Sequence, residues 1–114
     1  MAMTNEQRAR LEAMSMVGRQ VCFKNKGAAD KKLMGVVEDE VYTMVSDYKH
    51  MIQRIRLADG VSWDESQCAY RTGYYTYEFG MKNIKWGQYT QFLTESEYRD
   101  LLAKARDKGW PIFE

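Results

Sequence analysis

Two helix-start signals stand near opposite ends of the chain, and between them the hydrophobic period changes. Thr4 is followed three residues later by Gln7, and Thr94 by Glu97. Each pair reads as a capping box, in which the threonine oxygen and the longer side chain satisfy amide donors that a helix start leaves orphaned. After the first box Leu11, Met14 and Val17 make an apolar stripe, with Arg8, Arg10 and Glu12 off it and Gly18 beyond. This predicts a helix over about residues 5–17, closed by a glycine in the left-handed conformation. After the second box Tyr98, Leu101, Leu102 and Ala105 recur at i, i+3, i+4 and i+7, followed by Gly109 and Pro111. That predicts a helix over about residues 95–108, with Lys104, Arg106 and Lys108 at the negative end of its dipole. Trp110, Ile112 and Phe113 form an apolar tail that needs something to pack against.

From Arg19 onward the period is two. Val21 and Phe23 share a face in "RQVCFKN", and "NKGAADKK" reads as a polar loop. "KLMGVVEDEVYTMVS" is too rich in β-branched residues for a helix. It is either two strands with a turn at "EDE" or one bent strand. In "HMIQRIRLADG", Met51, Gln53, Ile55 and Leu57 lie on one face, Ile52, Arg54 and Arg56 on the other, and Asp59-Gly60 is a turn signal. "VSWDESQ" is a loop or a short helical turn capped by Ser62 and Glu65. Residues 70–79 then alternate, with Tyr75, Tyr77 and Phe79 on the expected core face and Tyr70, Thr72, Tyr74, Thr76 and Glu78 opposite. "GMKN" supplies a turn through Gly80 and Asn83. The return strand, 84–93, breaks parity between Ile84 and Trp86 on one side and Tyr89 and Leu93 on the other; a bulge at Gly87 restores it.

The predicted fold class is therefore α+β. It is a strongly curved antiparallel sheet, or a small barrel, of about five or six strands, flanked by an N-terminal and a C-terminal helix. A chain of 114 residues is expected to be a single domain, 1–114, able to bury roughly two-thirds of its unfolded surface without staples. Over residues 18–60 the placement of Gly18, Val21, Phe23, Gly35, Val36 and Val37 resembles the strand run of small SH3-like barrel domains. The resemblance implies a barrel that binds peptides, nucleic acids or other proteins along one face. The bracketing helices and the aromatic hairpin depart from a minimal barrel of that kind.

Charge and composition narrow the function classes. Seventeen Lys and Arg against sixteen Asp and Glu give +1, without the basic excess that duplex binding by a whole surface needs. Cys22 and Cys68 have no metal-like spacing and read as buried, reduced thiols. No apolar run reaches the length of a membrane span and no leader-like stretch opens the chain, so a cytoplasmic location and no membrane partner are expected. His50 is the only histidine, with Asp47 three residues before it. Glu38, Asp39 and Glu40 lack EF-hand spacing and read as a solvated turn. No phosphate-binding glycine loop or nucleophile motif is present, so no catalytic residue, cofactor or metal is assigned.

Binding is the remaining class. Eight methionines, the apolar tail and surplus tyrosines favour a protein or peptide partner, or a second copy in a homodimer, met through an aromatic-rich surface. Arg54, Arg56, Tyr70, Arg71, Tyr74, Lys85 and Phe92 are the candidate binding residues. The same basic and aromatic set offers single-stranded nucleic acid as an alternative, with guanidinium for phosphate and rings for bases. A third alternative is a small enzyme or ligand-binding protein using a cleft near Trp63, Trp86, Tyr75 and His50.

Overall fold

Thr4 Oγ1 accepts the Gln7 amide at 3.1 Å while Gln7 Oε1 accepts the Thr4 amide at 2.9 Å, so the first helix starts at its predicted box. The second does the same, with Thr94 and Glu97 exchanging bonds of 3.3 and 2.8 Å. The structure is a computed structural model that describes residues 3–24, 32–58, 66–78, 82–87 and 91–113. Its elements are α1 (Asn5–Ala13), β1 (Gln20–Lys24), β2 (Lys32–Val45), β3 (Tyr48–Leu57), β4 (Cys68–Tyr77), β5 (Ile84–Gly87) and α2 (Glu95–Asp107), followed by a 3-10 turn over Pro111–Phe113. The strands form one antiparallel sheet in the order β1-β2-β3-β4-β5. The α+β class, with a helix before and after the sheet, is as expected. The expected turns at Asp59-Gly60 and Gly80, the loop over 25–31, and Ser62, Trp63, Phe79 and Tyr89 lie outside the described residues.

Three boundaries differ from expectation. Helix α1 ends at Ala13 rather than near 17: Met14 is already extended, and Lys49 Nζ holds the carbonyls of Glu12 and Met14 at 2.6 and 2.5 Å. Gly18 then serves a separate turn, in which Arg19 N–H reaches Met16 O at 2.8 Å and Gly18, at φ 90°, takes the position that a type II turn reserves for glycine. The "EDE" run is not the solvated turn; it lies half-buried inside the single long strand β2, so of the two alternatives for this stretch the one-strand reading holds. Strand β5 runs in unbroken register against β4, with Trp86 opposite Tyr75 and Gly87 opposite Tyr74, and residues 91–94 are not strand. Gly87 is explained by the Tyr74 ring lying over it, where a Cβ would sit 2.5 Å from ring carbons.

The chain divides into two compact units. The first comprises Met1–Ser15, Val41–Ile52 and Thr72–Glu114, and contains both helices. Here Lys49, His50, Met51 and Ile52 are buried in succession, because helices meet side chains of both parities. Tyr42 and Lys49 reach α1, through Glu12 and Met14. Thr43 bonds Asp100 of α2, and His50 feels the charge of Glu97 there. In β4 both faces are covered as well: Tyr75 and Tyr77 are buried as expected, Tyr77 donating to Gln7 O at 2.9 Å, but so is Thr76, which bonds Asp47 O. Leu11, Leu101, Ala105 and Trp110 complete this core.

The second unit comprises Met16–Glu40 and Gln53–Arg71. Strand β1 pairs with β2 from Gln20↔Val36 to Lys24↔Lys32, and Ala58 N–H reaches Met34 O at 2.9 Å. Val37, Gln53 and Ile55 are fully buried. Gly35 is required by close approach: a Cβ there would lie 2.5 Å from the Arg56 carbonyl oxygen.

Candidate functional site

In the second unit Glu38 sits at the centre of a charge cluster. One carboxylate oxygen accepts from Arg54 Nη1, and the other accepts from Arg56 Nε and Nη2 at 3.0 Å each. Arg54 Nε also donates to the Tyr70 hydroxyl at 3.1 Å, and Cys68 Sγ lies 3.9 Å from Glu38; Cys68 is half-buried and Cys22 exposed, not the buried thiols expected. Burial alone would lower the Arg54 pKa; the Tyr70 bond and the negative groups around it reverse that and raise it. Arg54, Arg56 and Tyr70 do come together as a group, but both guanidiniums are engaged by the one Glu38 carboxylate, which offsets only one of their two charges. Glu38, read as part of a solvated turn, was missed because its partners come from the neighbouring strand.

Arg71 is likewise committed inward. Its Nε donates to Gln53 Oε1 at 2.6 Å, and Gln53 Nε2 donates to Glu40 at 3.0 Å, so the fully buried amide has both ends satisfied. Arg71 Nη2 also meets Met16 Sδ at 3.2 Å.

In the first unit Tyr74 is a packing residue. Its ring makes edge contacts with Tyr48 at 5.3 Å and His50 at 5.7 Å, and Tyr48 stacks on His50 at 5.6 Å. Gln91 Nε2 contacts Gly73 O at 2.6 Å and His50 Nδ1 at 3.3 Å. An amide donating both hydrogens requires Nδ1 to accept, which fixes a neutral imidazole with its proton on Nε2. Burial lowers the His50 pKa by disfavouring the charged ring, and the Glu97 charge opposes the shift. Gln91 thus locks His50, which is joined by neither Asp47 nor a nucleophile in this cluster. Trp86 meets Tyr75 edge-on at 5.3 Å, as cross-strand neighbours do. The other tryptophan proposed for a cleft with them, Trp63, lies outside the described residues. Among the described residues no group of three or more His, Cys, Asp or Glu is placed to hold a metal, and no helix is long and apolar enough to cross a membrane.

What this unit leaves open to solvent is different in kind. Phe92 is 88% exposed, two residues ahead of the α2 N-cap. Tyr98 and Leu102, expected in the core stripe, are 42% and 40% exposed; only Leu101 and Ala105 of that stripe are buried. The stripe was read too wide: Tyr98 and Leu102 lie at its edge, beside Arg99 and Arg106. A shallow groove along α2 is lined by Glu95, Tyr98, Arg99, Leu102, Ala103 and Arg106. Ile112, after the helix, is exposed too, and Lys85 is exposed on β5. A second groove beside α1 is different, because its one ring, Tyr42, already bonds Glu12 at 3.3 Å and underlies Lys49. The Tyr42 pKa is raised by burial and by the Glu12 carboxylate.

No protein-family model, curated protein or solved structure matches this chain.

Proposed function

We propose that the chain is a non-catalytic protein-interaction module that self-associates through the exposed apolar side chains of α2 and the segment just before it. The exposure of Phe92, followed by Tyr98 and Leu102, carries this reading. Fully covering an exposed large apolar side chain stabilises an association by about 1.5–3 kcal/mol. Phe92 offers most of that, while Tyr98 and Leu102, at 42% and 40% exposed, offer less than half each against the entropy lost on binding. Arg99 and Arg106 alongside them suit it, since arginine and aromatic residues are enriched where proteins meet. The nucleic-acid alternative has less support, because Arg54 and Arg56 are both held by Glu38 and Arg71 is held by Gln53.

The reading is tested by light scattering over a concentration series. The mass is expected to rise from 13.4 kDa toward twice that value, and Leu102→Glu is expected to hold the chain at the monomer mass. A monomer at every concentration, or a Leu102→Glu variant that dimerises like the parent, overturns it.

A further inference from the structure

The order of charges along the α2 groove identifies what fits it. Glu95 stands at its start, Arg106 at its end, and Tyr98, Arg99, Leu102 and Ala103 lie between. All six are exposed. On a helix these positions fall within one stripe, and Glu95 and Arg106 stand about 16 Å apart along the axis. Such a stripe is complementary to its own reverse. We propose that the groove receives α2 of a second copy, antiparallel about a two-fold axis passing near Asp100 and Leu101. The proposal rests on the self-association reading above and specifies its geometry.

Placing Glu95 opposite Arg106 of the second copy sets the register of every other pair. Tyr98 then faces Ala103, whose small side chain leaves room for the ring, and Arg99 lays its aliphatic stem over Leu102. The two-fold repeats each pair, as an isologous contact requires. A parallel pairing would instead set Glu95 against Glu95 and Arg106 against Arg106, so charge selects the antiparallel arrangement. The exposed apolar residues beyond the helix agree with this. Phe92 precedes α2 and Ile112 follows it, and an antiparallel pair brings opposite helix ends together. One helix pair covers less than the standard protein–protein interface of about 1,600 Å², which places the dimer in the weak, exchanging class.

The test uses Glu95→Arg and Arg106→Glu in the full chain, alone and mixed, with mass read by sedimentation equilibrium. Each reversal turns two attractive contacts into two repulsive ones, so each variant alone is expected to dimerise about tenfold more weakly than the parent. An equimolar mixture has both pairs complementary again and is expected to recover the parental dimer, as is the doubly substituted Glu95→Arg/Arg106→Glu chain. Two misfolded variants cannot rescue each other, so recovery separates lost charge pairing from lost folding. A parent that dimerises while both single variants match it, or a mixture that stays weak, overturns the α2 pairing and leaves self-association standing. A parent that remains monomeric overturns both.

Discussion

His50 shows how one buried residue sets a pH dependence. Its neutral form is held by Gln91 Nε2 at Nδ1 and enclosed by Tyr48 and Tyr74, with Glu97 the facing charge from α2. Burial lowers its pKa below the ordinary 6.5, so the unfolded chain binds a proton that the folded chain resists. Its contribution to stability is therefore complete above 6.5 and declines as the pH falls below that value. The carboxylates of Glu97 and Asp100, themselves lowered by bonds to Thr94 and Lys104, act only in more acidic solution. The urea midpoint is expected to drop between pH 7.5 and pH 5, and to drop less in His50→Gln; an unchanged slope in the variant contradicts the assignment. Gly35 is a second residue with a defined cost. An added Cβ meets the Arg56 carbonyl, a backbone atom that cannot swing aside, so Gly35→Ala is expected to destabilise by about 1–3 kcal/mol in urea unfolding.

At the scale of elements, α1 depends on a residue from β3. Lys49 Nζ caps the carbonyls of Glu12 and Met14 that a helix end leaves open. Lys49→Met is expected to cost about 1–3 kcal/mol and to speed amide exchange in α1 more than in α2. Equal effects on the two helices would contradict that role. This contact also shows where sequence legibility stops. The starts of both helices were legible because capping boxes are local, three residues apart and chemically complete. The end of α1 was not, because a lysine far along the chain decides it. The β4–β5 pairing was legible from the alternation of Tyr75 and Tyr77, whereas the burial of Thr76 and the packing of Tyr74 were not. Period two reports that a strand has two faces; it cannot report what covers the second one. For the same reason Tyr98 and Leu102 read as core, since spacing alone does not fix the width of a buried stripe.

For the whole molecule, a net charge of +1 leaves little long-range repulsion between copies, so short-range complementarity decides whether they associate. The candidate residues separate accordingly. Arg54, Arg56, Arg71, Tyr70 and Tyr74 are engaged within their own units, whereas Phe92 and the α2 groove remain open. The central claim, that α2 carries the interaction surface, is tested most directly by following backbone amide resonances while the protein is diluted from about 1 mM to about 20 µM, the range of a weak dimer. The claim predicts concentration-dependent shifts at Tyr98, Arg99, Leu102 and Arg106, absent in Leu102→Glu. Shifts confined to the Glu38–Arg54–Arg56 cluster, or none at all, would contradict it.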